Sequence, residues 1–183
     1  MNPISILAGV AAGLATQAAA AMELKSGDLG EGAPIAIEQL YTRCGGKNVA
    51  PALSWSGAPS GTRSFVLTFV DTSVLPSGWS HWLVVNLPPS AGGLPKGGTL
   101  PSGATAIESN FGDLVYDGPC PPAGTGVHNY EFTLYALPRP APAIVGNSNA
   151  NELARALSAL ALAKATLKGT AMASPPPGGK GGR

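Results

Sequence analysis

The sequence predicts a mainly β domain that carries one helix near its C-terminus. Short runs rich in β-branched and aromatic residues, bounded by glycine, proline and serine, recur from residue 51 to residue 137, and such runs are typical of strands. A clear helical pattern occurs only after Asn149. Because strands and helices do not alternate, a doubly wound parallel sheet is excluded and a mainly antiparallel one is expected.

Three central strands are predicted from these runs. Residues 64–70 (SFVLTFV) and 82–87 (WLVVNL) are short β-type runs bounded by glycine, proline and serine clusters. Residues 130–137 (YEFTLYAL) alternate, so that Phe132 and Leu134 lie on one face. The intervening segment 90–103 holds five glycines and two prolines, which predicts a loop.

The helix is predicted from its N-terminal cap and its apolar stripe. Asn149 and Glu152 have the spacing of a capping box. The stripe consists of Leu153, Leu157 and Leu160. The alanine-rich pattern predicts an end near Lys164, and alternation over residues 165–172 then predicts a final strand.

Composition divides the 183-residue chain into three parts. Residues 1–21 are apolar and uncharged and end in small residues, which favours a signal peptide, although no Lys or Arg precedes the apolar core. A retained membrane anchor is the alternative, but the segment is only weakly hydrophobic. Residues 22–173 form the domain, and the tail 174–183 (SPPPGGKGGR) is predicted to be disordered. We therefore expect an exported protein, periplasmic or secreted, without a stable membrane anchor.

The charge balance excludes one class of partner. Eleven basic residues stand against ten acidic ones, and the formal net charge is +1 without a basic run in the interior. Nucleic-acid binding needs a basic surface that neutralises phosphates. No nucleic-acid partner is expected.

The two cysteines, Cys44 and Cys120, are expected to form a disulfide if the chain is exported. The bond would close a loop of about 75 residues, which the chain-entropy model values at about 4 kcal/mol. Two free buried thiols are the alternative.

Candidate ligand-binding residues cluster at predicted strand ends. Asp71 ends one strand, His81 precedes another, and His128 and Tyr130, two residues apart, lie on one face of a third. If these ends converge, Asp71 holds one histidine in a chosen tautomer while the other histidine and Tyr130 donate hydrogen bonds to an anion. The preceding segment 118–122 (GPCPP) predicts a stiff rim. Each residue alone could equally serve a structural role.

Motifs for catalysis and metal binding are absent from the sequence. It has no HExxH, CxxC, Gly-x-Ser-x-Gly or P-loop pattern. We therefore expect a non-enzymatic protein without catalytic residues, cofactor or metal. A hydrolase in which Asp71, His81 and His128 activate water is the least favoured alternative.

Four linked segments carry a family resemblance. They are residues 44–55 (CGGKNVAPALSW), 61–65 (GTRSF), 78–88 (GWSHWLVVNLP) and 118–137, from GPCPP through HNY to YAL. In this order and spacing they resemble the phosphatidylethanolamine-binding protein family, and within it the bacterial Raf kinase inhibitor-like branch. The resemblance covers about residues 23–172.

The resemblance implies a fold, a site and a kind of partner. The fold would be a large antiparallel sheet packed on a smaller one with helical structure near the C-terminus. The site would bind a small anion or a phosphorylated lipid head group, and a protease or kinase could be inhibited through its rim. Carried onto this chain, the ligand-binding residues would be Asp71, Trp79, His81, Gly118, Pro121, Pro122, His128 and Tyr130.

The chain departs from the family pattern at three positions. The family's Asp-Pro-Asp-Ala-Pro segment reads DTSVL over residues 71–75, so Ser73 replaces a second carboxylate. Asn129 stands where an arginine is usual, and Ala50 where a serine is usual. With one carboxylate fewer, an amine-bearing head group meets less counter-charge and a bare anion meets less repulsion.

Overall fold

The computed structural model describes residues 21–141 and 149–173. The predicted signal peptide, apart from its last residue, and the predicted tail 174–183 lie outside the described residues. Within the described part, no helix is long and apolar enough to cross a membrane.

Nine strands and one α-helix form the described fold. The strands are β1 (Glu23–Lys25), β2 (Ala33–Pro34), β3 (Leu53–Ser56), β4 (Ser64–Asp71), β5 (Trp79–Leu87), β6 (Gly93–Leu94), β7 (Thr105–Ile107), β8 (Val127–Leu137) and β9 (Ala163–Met172), and the helix is α1 (Ala150–Leu160). Six strands make a large sheet in the order β2-β9-β8-β4-β5-β7, and β1-β3-β6 make a small one. All pairs are antiparallel except the short parallel pair of β2 and β9. The prediction of a mainly β fold is confirmed.

The small sheet covers one face of the large sheet. Trp55 of β3 packs edge-on against Phe65 of β4, with ring centroids 5.8 Å apart. Phe132 and Leu134 of β8 point into this core, as the alternation predicted. The prediction of a loop over residues 90–103 is wrong at β6, because Gly93 has no Cβ and can approach the backbone of Leu53 to pair with it.

Helix α1 covers the opposite face of the large sheet. Asn149 caps it as predicted, because its Oδ1 accepts hydrogen bonds from the backbone of Asn151 at 3.0 Å and Glu152 at 3.2 Å. Leu153 and Leu157 are buried against strand residues. The predicted end near residue 164 is wrong, since the chain leaves the helix at Leu160 and enters β9 beside β8.

A loop over residues 116–122 is tied to residues 44–48, which lie at the end of and just after the second of two 3₁₀ turns (Ile37–Gln39 and Thr42–Cys44). Cys44 and Cys120 form the expected disulfide, with Cα atoms 5.5 Å apart. Asn48 adds two hydrogen bonds, since its Nδ2 donates to the Tyr116 carbonyl at 3.0 Å and its Oδ1 accepts from the Gly118 amide at 2.6 Å. A Cβ at Gly118 would clash with backbone of residues 39–41. These contacts hold the loop beside the ends of β5 and β8.

Candidate ligand-binding site

A cavity of about 570 Å³ opens where three strands of the large sheet meet. Because β4 runs antiparallel to both neighbours, its last residue, Asp71, lies opposite Trp79 of β5 and Tyr130 of β8. Seven of the eight residues expected at a ligand site line the cavity: Asp71, Trp79, His81, Pro121, Pro122, His128 and Tyr130. The predicted convergence of the strand ends is therefore present.

Gly118 is the exception among the eight. It is not part of the cavity lining, and its amide is already bonded to Asn48. A contact of Gly118 with a ligand stays a prediction, and the structure shows that the glycine is needed for close packing on the neighbouring backbone.

One wall of the cavity is a buried chain of polar side chains. His128 Nδ1 lies 2.6 Å from Asp71 Oδ2, and both side chains are buried. His128 Nε2 lies 2.8 Å from the Thr125 hydroxyl, which itself donates to the Pro122 carbonyl at 2.7 Å. Both ring nitrogens thus have hydrogen-bond partners within the protein. We call these residues, Asp71, Thr125 and His128, the ionic wall.

Tyr130 lies between the two histidines. Its ring centroid is 6.5 Å from that of His128 and 5.3 Å from that of His81. Burial raises the pKa of Tyr130, and the charge of Asp71 and a hydrogen bond with it raise that pKa further. The hydroxyl therefore keeps its proton and serves as a donor.

The other wall contains a neutral histidine. His81 Nδ1 lies 2.8 Å from the Asp117 carbonyl, and the Asp117 amide donates to the His81 carbonyl at 3.1 Å. Burial lowers the pKa of His81 to about 4, although its hydrogen bond with the Asp117 backbone opposes that shift. We call His81 and Phe111 the neutral wall, since the histidine carries no charge near pH 7.

Phe111 was not expected from the sequence. It packs edge-on against His81 at 5.0 Å and against Trp79 at 5.8 Å, and both aromatic rings remain partly exposed at the mouth. Its loop is held by Asn110, whose Oδ1 accepts from the Ser80 amide at 2.7 Å and from the Ser80 hydroxyl at 2.9 Å. The sequence signal that could have revealed this residue is a single phenylalanine next to a glycine in a polar stretch.

The loop after Asp71 supplies no second carboxylate. Ser73 occupies that position, and its hydroxyl accepts a hydrogen bond from the Asn129 amide at 2.8 Å. The Ser73 amide donates to Asp71 Oδ1 at 2.9 Å. Among the lining residues that the structure describes, Asp71 is the only carboxylate, and none is lysine or arginine.

Comparison with known proteins agrees with this geometry. The sequence model for the phosphatidylethanolamine-binding protein family matches residues 25–172, which include every wall residue. The chain belongs to that family. The family assignment covers both sheets, the helix and the loop carrying Cys120.

Relatives within the family come from several bacteria. The protein YbcL of Escherichia coli is 35% identical over 156 residues, which span 75% of this chain and 85% of YbcL. The protein LppC of Mycobacterium tuberculosis, whose name describes it as a candidate lipoprotein, is 37% identical over 155 residues, or 83% of this chain and 75% of LppC.

Solved structures of family members share the fold. The crystal structure of E. coli YbcL, described as a member of the mammalian family, has a TM-score of 0.74 at 33% identity and covers 82% of this chain and 98% of that one. A family homologue from Chlamydia trachomatis has a TM-score of 0.70 at 32% identity and covers 84% and 99%. Both solved structures thus share the fold of this chain.

Proposed function

We propose that this protein is a non-enzymatic binding protein that holds a small anion or a phosphorylated head group in the cavity. The observation that carries the proposal is that Asp71, the only carboxylate among the described lining residues, is already hydrogen-bonded to His128. An incoming anion therefore meets a single carboxylate that has a partner, rather than several free ones.

The cavity offers hydrogen-bond donors at its polar end. The Thr125 hydroxyl bonded to His128 Nε2 is exposed, so a ligand oxygen can take its place. The partly apolar mouth, with Trp79 and Phe111, would contact whatever group is attached to the anion.

Thermal unfolding with added ligand tests the proposal. Phosphate or phosphoethanolamine at about 100 times its Kd should stabilise the protein by about 2.7 kcal/mol and raise the Tm. His128→Gln should abolish the shift, whereas Thr166→Ala, on an exposed position of β9, should keep it. Unchanged Tm with every anion tested would contradict the proposal.

Inhibition of a protease or kinase through the rim is the second candidate. Large apolar side chains at the cavity mouth are exposed, namely Leu75, Trp79, Phe111 and Val127. Exposed apolar clusters with aromatic members are common at protein interfaces. Inhibition assays on a panel of extracytoplasmic proteases would separate the candidates, since rim recognition should survive His81→Gln and fail with Phe111→Ser.

The absence of catalysis is also a proposal. A carboxylate, an imidazole and a hydroxyl lie in a row at Asp71, His128 and Thr125, as in hydrolase triads. However, the Thr125 hydroxyl donates its proton to the Pro122 carbonyl, so it is not activated by the histidine. The proposal that the protein is not an enzyme would be overturned if it turned over esters or phosphoesters and the Thr125→Ala variant did not.

We further propose that the protein is exported. The disulfide and the name of LppC support this, since disulfides persist in oxidising compartments. Cell fractionation followed by N-terminal sequencing should find a mature chain that begins at Ala21 or Met22 outside the cytoplasm. A cytoplasmic chain with an intact N-terminus would contradict export.

A further inference from the structure

The orientation of the His81 ring is fixed by contacts on all sides. Its Nδ1 bonds to the Asp117 carbonyl, and the rings of Phe69, Phe111 and Tyr130 lie with centroids within 5.5 Å of it. A flip of the ring would replace this hydrogen bond by a C–H group facing the carbonyl. The ring therefore presents one particular edge to the cavity.

The bond to Asp117 also decides the tautomer. A carbonyl oxygen only accepts hydrogen bonds, so the proton of the neutral ring is on Nδ1. Burial disfavours a second proton more strongly than the carbonyls of Asp117 and Gly118 favour it. His81 Nε2 consequently carries a lone pair and acts as an acceptor.

This acceptor is open to the cavity. Across the described residues, Nε2 makes no hydrogen bond within the protein. Three buried side-chain atoms of the described residues lack both a hydrogen-bond partner and solvent contact, and they belong to Gln39, Trp55 and Asp117. His81 Nε2 is not one of them, so it keeps contact with solvent. His81 lines the cavity. Nε2 is therefore free to accept a hydrogen bond from a ligand.

The opposite wall does not supply that donor. The Tyr130 hydroxyl is engaged with Asp71, and both nitrogens of His128 already face oxygen atoms. A ligand oxygen next to Nε2 that lacks a proton would place two lone pairs in contact, away from bulk water.

Resting on the proposed function, we propose that His81 Nε2 accepts a hydrogen bond from the ligand, so that the site selects an oxyanion that keeps a proton, such as hydrogenphosphate, over one that has none, such as sulfate. The two ions have similar shape and size. At equal charge, the two ions differ in that one oxygen of hydrogenphosphate carries a proton and no oxygen of sulfate does. His81 is then a specificity-determining residue.

The first test compares the two ions by calorimetry at about pH 8, where both are dianions. Sulfate should bind about 10- to 100-fold more weakly than phosphate. In His81→Gln, the side-chain amide can turn either its oxygen or its NH₂ group toward the ligand, so the preference should shrink to within about 3-fold. The control Thr166→Ala, remote from the cavity, should keep the wild-type ratio.

Two further ligands identify the source of the donor. Methyl phosphate has lost its P–OH proton at about pH 8, and it should bind about as weakly as sulfate. Phosphoethanolamine has also lost that proton but carries an ammonium donor. If it binds as tightly as phosphate, the ammonium satisfies Nε2 and a head-group source is indicated. If it binds as weakly as methyl phosphate, free phosphate is indicated, and either result is compatible with an accepting Nε2.

The second test does not require a variant to fold. The ¹⁵N chemical shift of His81 in the wild-type protein distinguishes a bare ring nitrogen from one that carries a proton. A bare Nε2 supports the proposal, and a protonated Nε2 at about pH 8 overturns it.

The outcomes separate this inference from the proposed function. Equal affinity for phosphate and sulfate overturns the inference and leaves anion binding intact. Failure of all four ligands to bind overturns both.

Discussion

The two walls of the cavity contain the same residue type with different hydrogen-bond partners. In the ionic wall, His128 is paired with Asp71 at 2.6 Å and reaches the surface through the exposed Thr125. In the neutral wall, His81 has a backbone carbonyl as its partner and aromatic rings around it. The difference shows that the partner and the burial of a histidine, rather than its identity, decide what it offers to a ligand.

Removing the disulfide should have the largest effect, because it supports both walls. Its loop carries Asp117, the partner of His81, and Pro122, the partner of Thr125. The double variant Cys44→Ala/Cys120→Ala should lose about 4 kcal/mol of unfolding free energy in urea. The ¹⁵N chemical shifts of His81 and His128 are then compared with those of the wild type. A change in both rings would show that the walls depend on one another, whereas a change in only one would show that they are separate.

Breaking the ionic wall should have the next largest effect. Asp71→Asn disrupts a buried, hydrogen-bonded Asp–His pair and should cost about 3 kcal/mol in urea unfolding at neutral pH. The matched control Glu131→Gln, which removes the more exposed pair with Lys168, should cost less than about 1 kcal/mol. Similar losses for both variants would contradict the assignment of an ionic wall.

The neutral wall should appear in the pH dependence of stability. The pKa of His81 is lowered to about 4 by burial, so its contribution is complete above about pH 6.5 and is lost as the pH falls through 4. The part of the loss that comes from His81 alone should approach about 3 kcal/mol, at 1.36 kcal/mol per pKa unit, and it is seen in full only when Asp117 does not titrate. Urea unfolding between about pH 4 and 7 measures it, and His81→Asn should remove it.

The titration of the Asp117 carboxyl should oppose the pH dependence of stability that His81 causes. Burial raises its pKa to about 6, so its contribution to stability is complete below about pH 3.8 and is lost as the pH rises through 6. Asp117→Asn keeps the backbone bonds to His81 and should make the acid loss of stability steeper than in the wild type. An unchanged pH profile in this variant would show that the carboxyl of Asp117 does not titrate in this range.

The smallest effect should come from the exposed end of the ionic wall. Thr125→Val removes the hydroxyl that faces His128 Nε2 and should cost about 1 kcal/mol, while Thr125→Ser should restore most of it. Urea midpoints measure both variants. No difference between valine and serine would mean that solvent replaces this hydroxyl without cost.

Sequence patterns predicted much of this site because its spacing is local. His128 and Tyr130, two residues apart on a strand, share a face as expected, and the cap at Asn149 is present. Patterns missed Phe111, Thr125 and Asp117, which lie in loops where no periodicity marks the side-chain direction. They also placed Gly118 on the cavity wall, although its role is close packing of backbone.

By itself, the sequence determined the β-rich fold, the helix cap and many of the residues that line the cavity, because propensity, periodicity and capping act over a few neighbouring residues. Only the tertiary structure decided which histidine pairs with Asp71, 57 residues away, and which is left with a carbonyl of Asp117. The physical reason is that strand register and burial set the distances and the desolvation that each ring experiences.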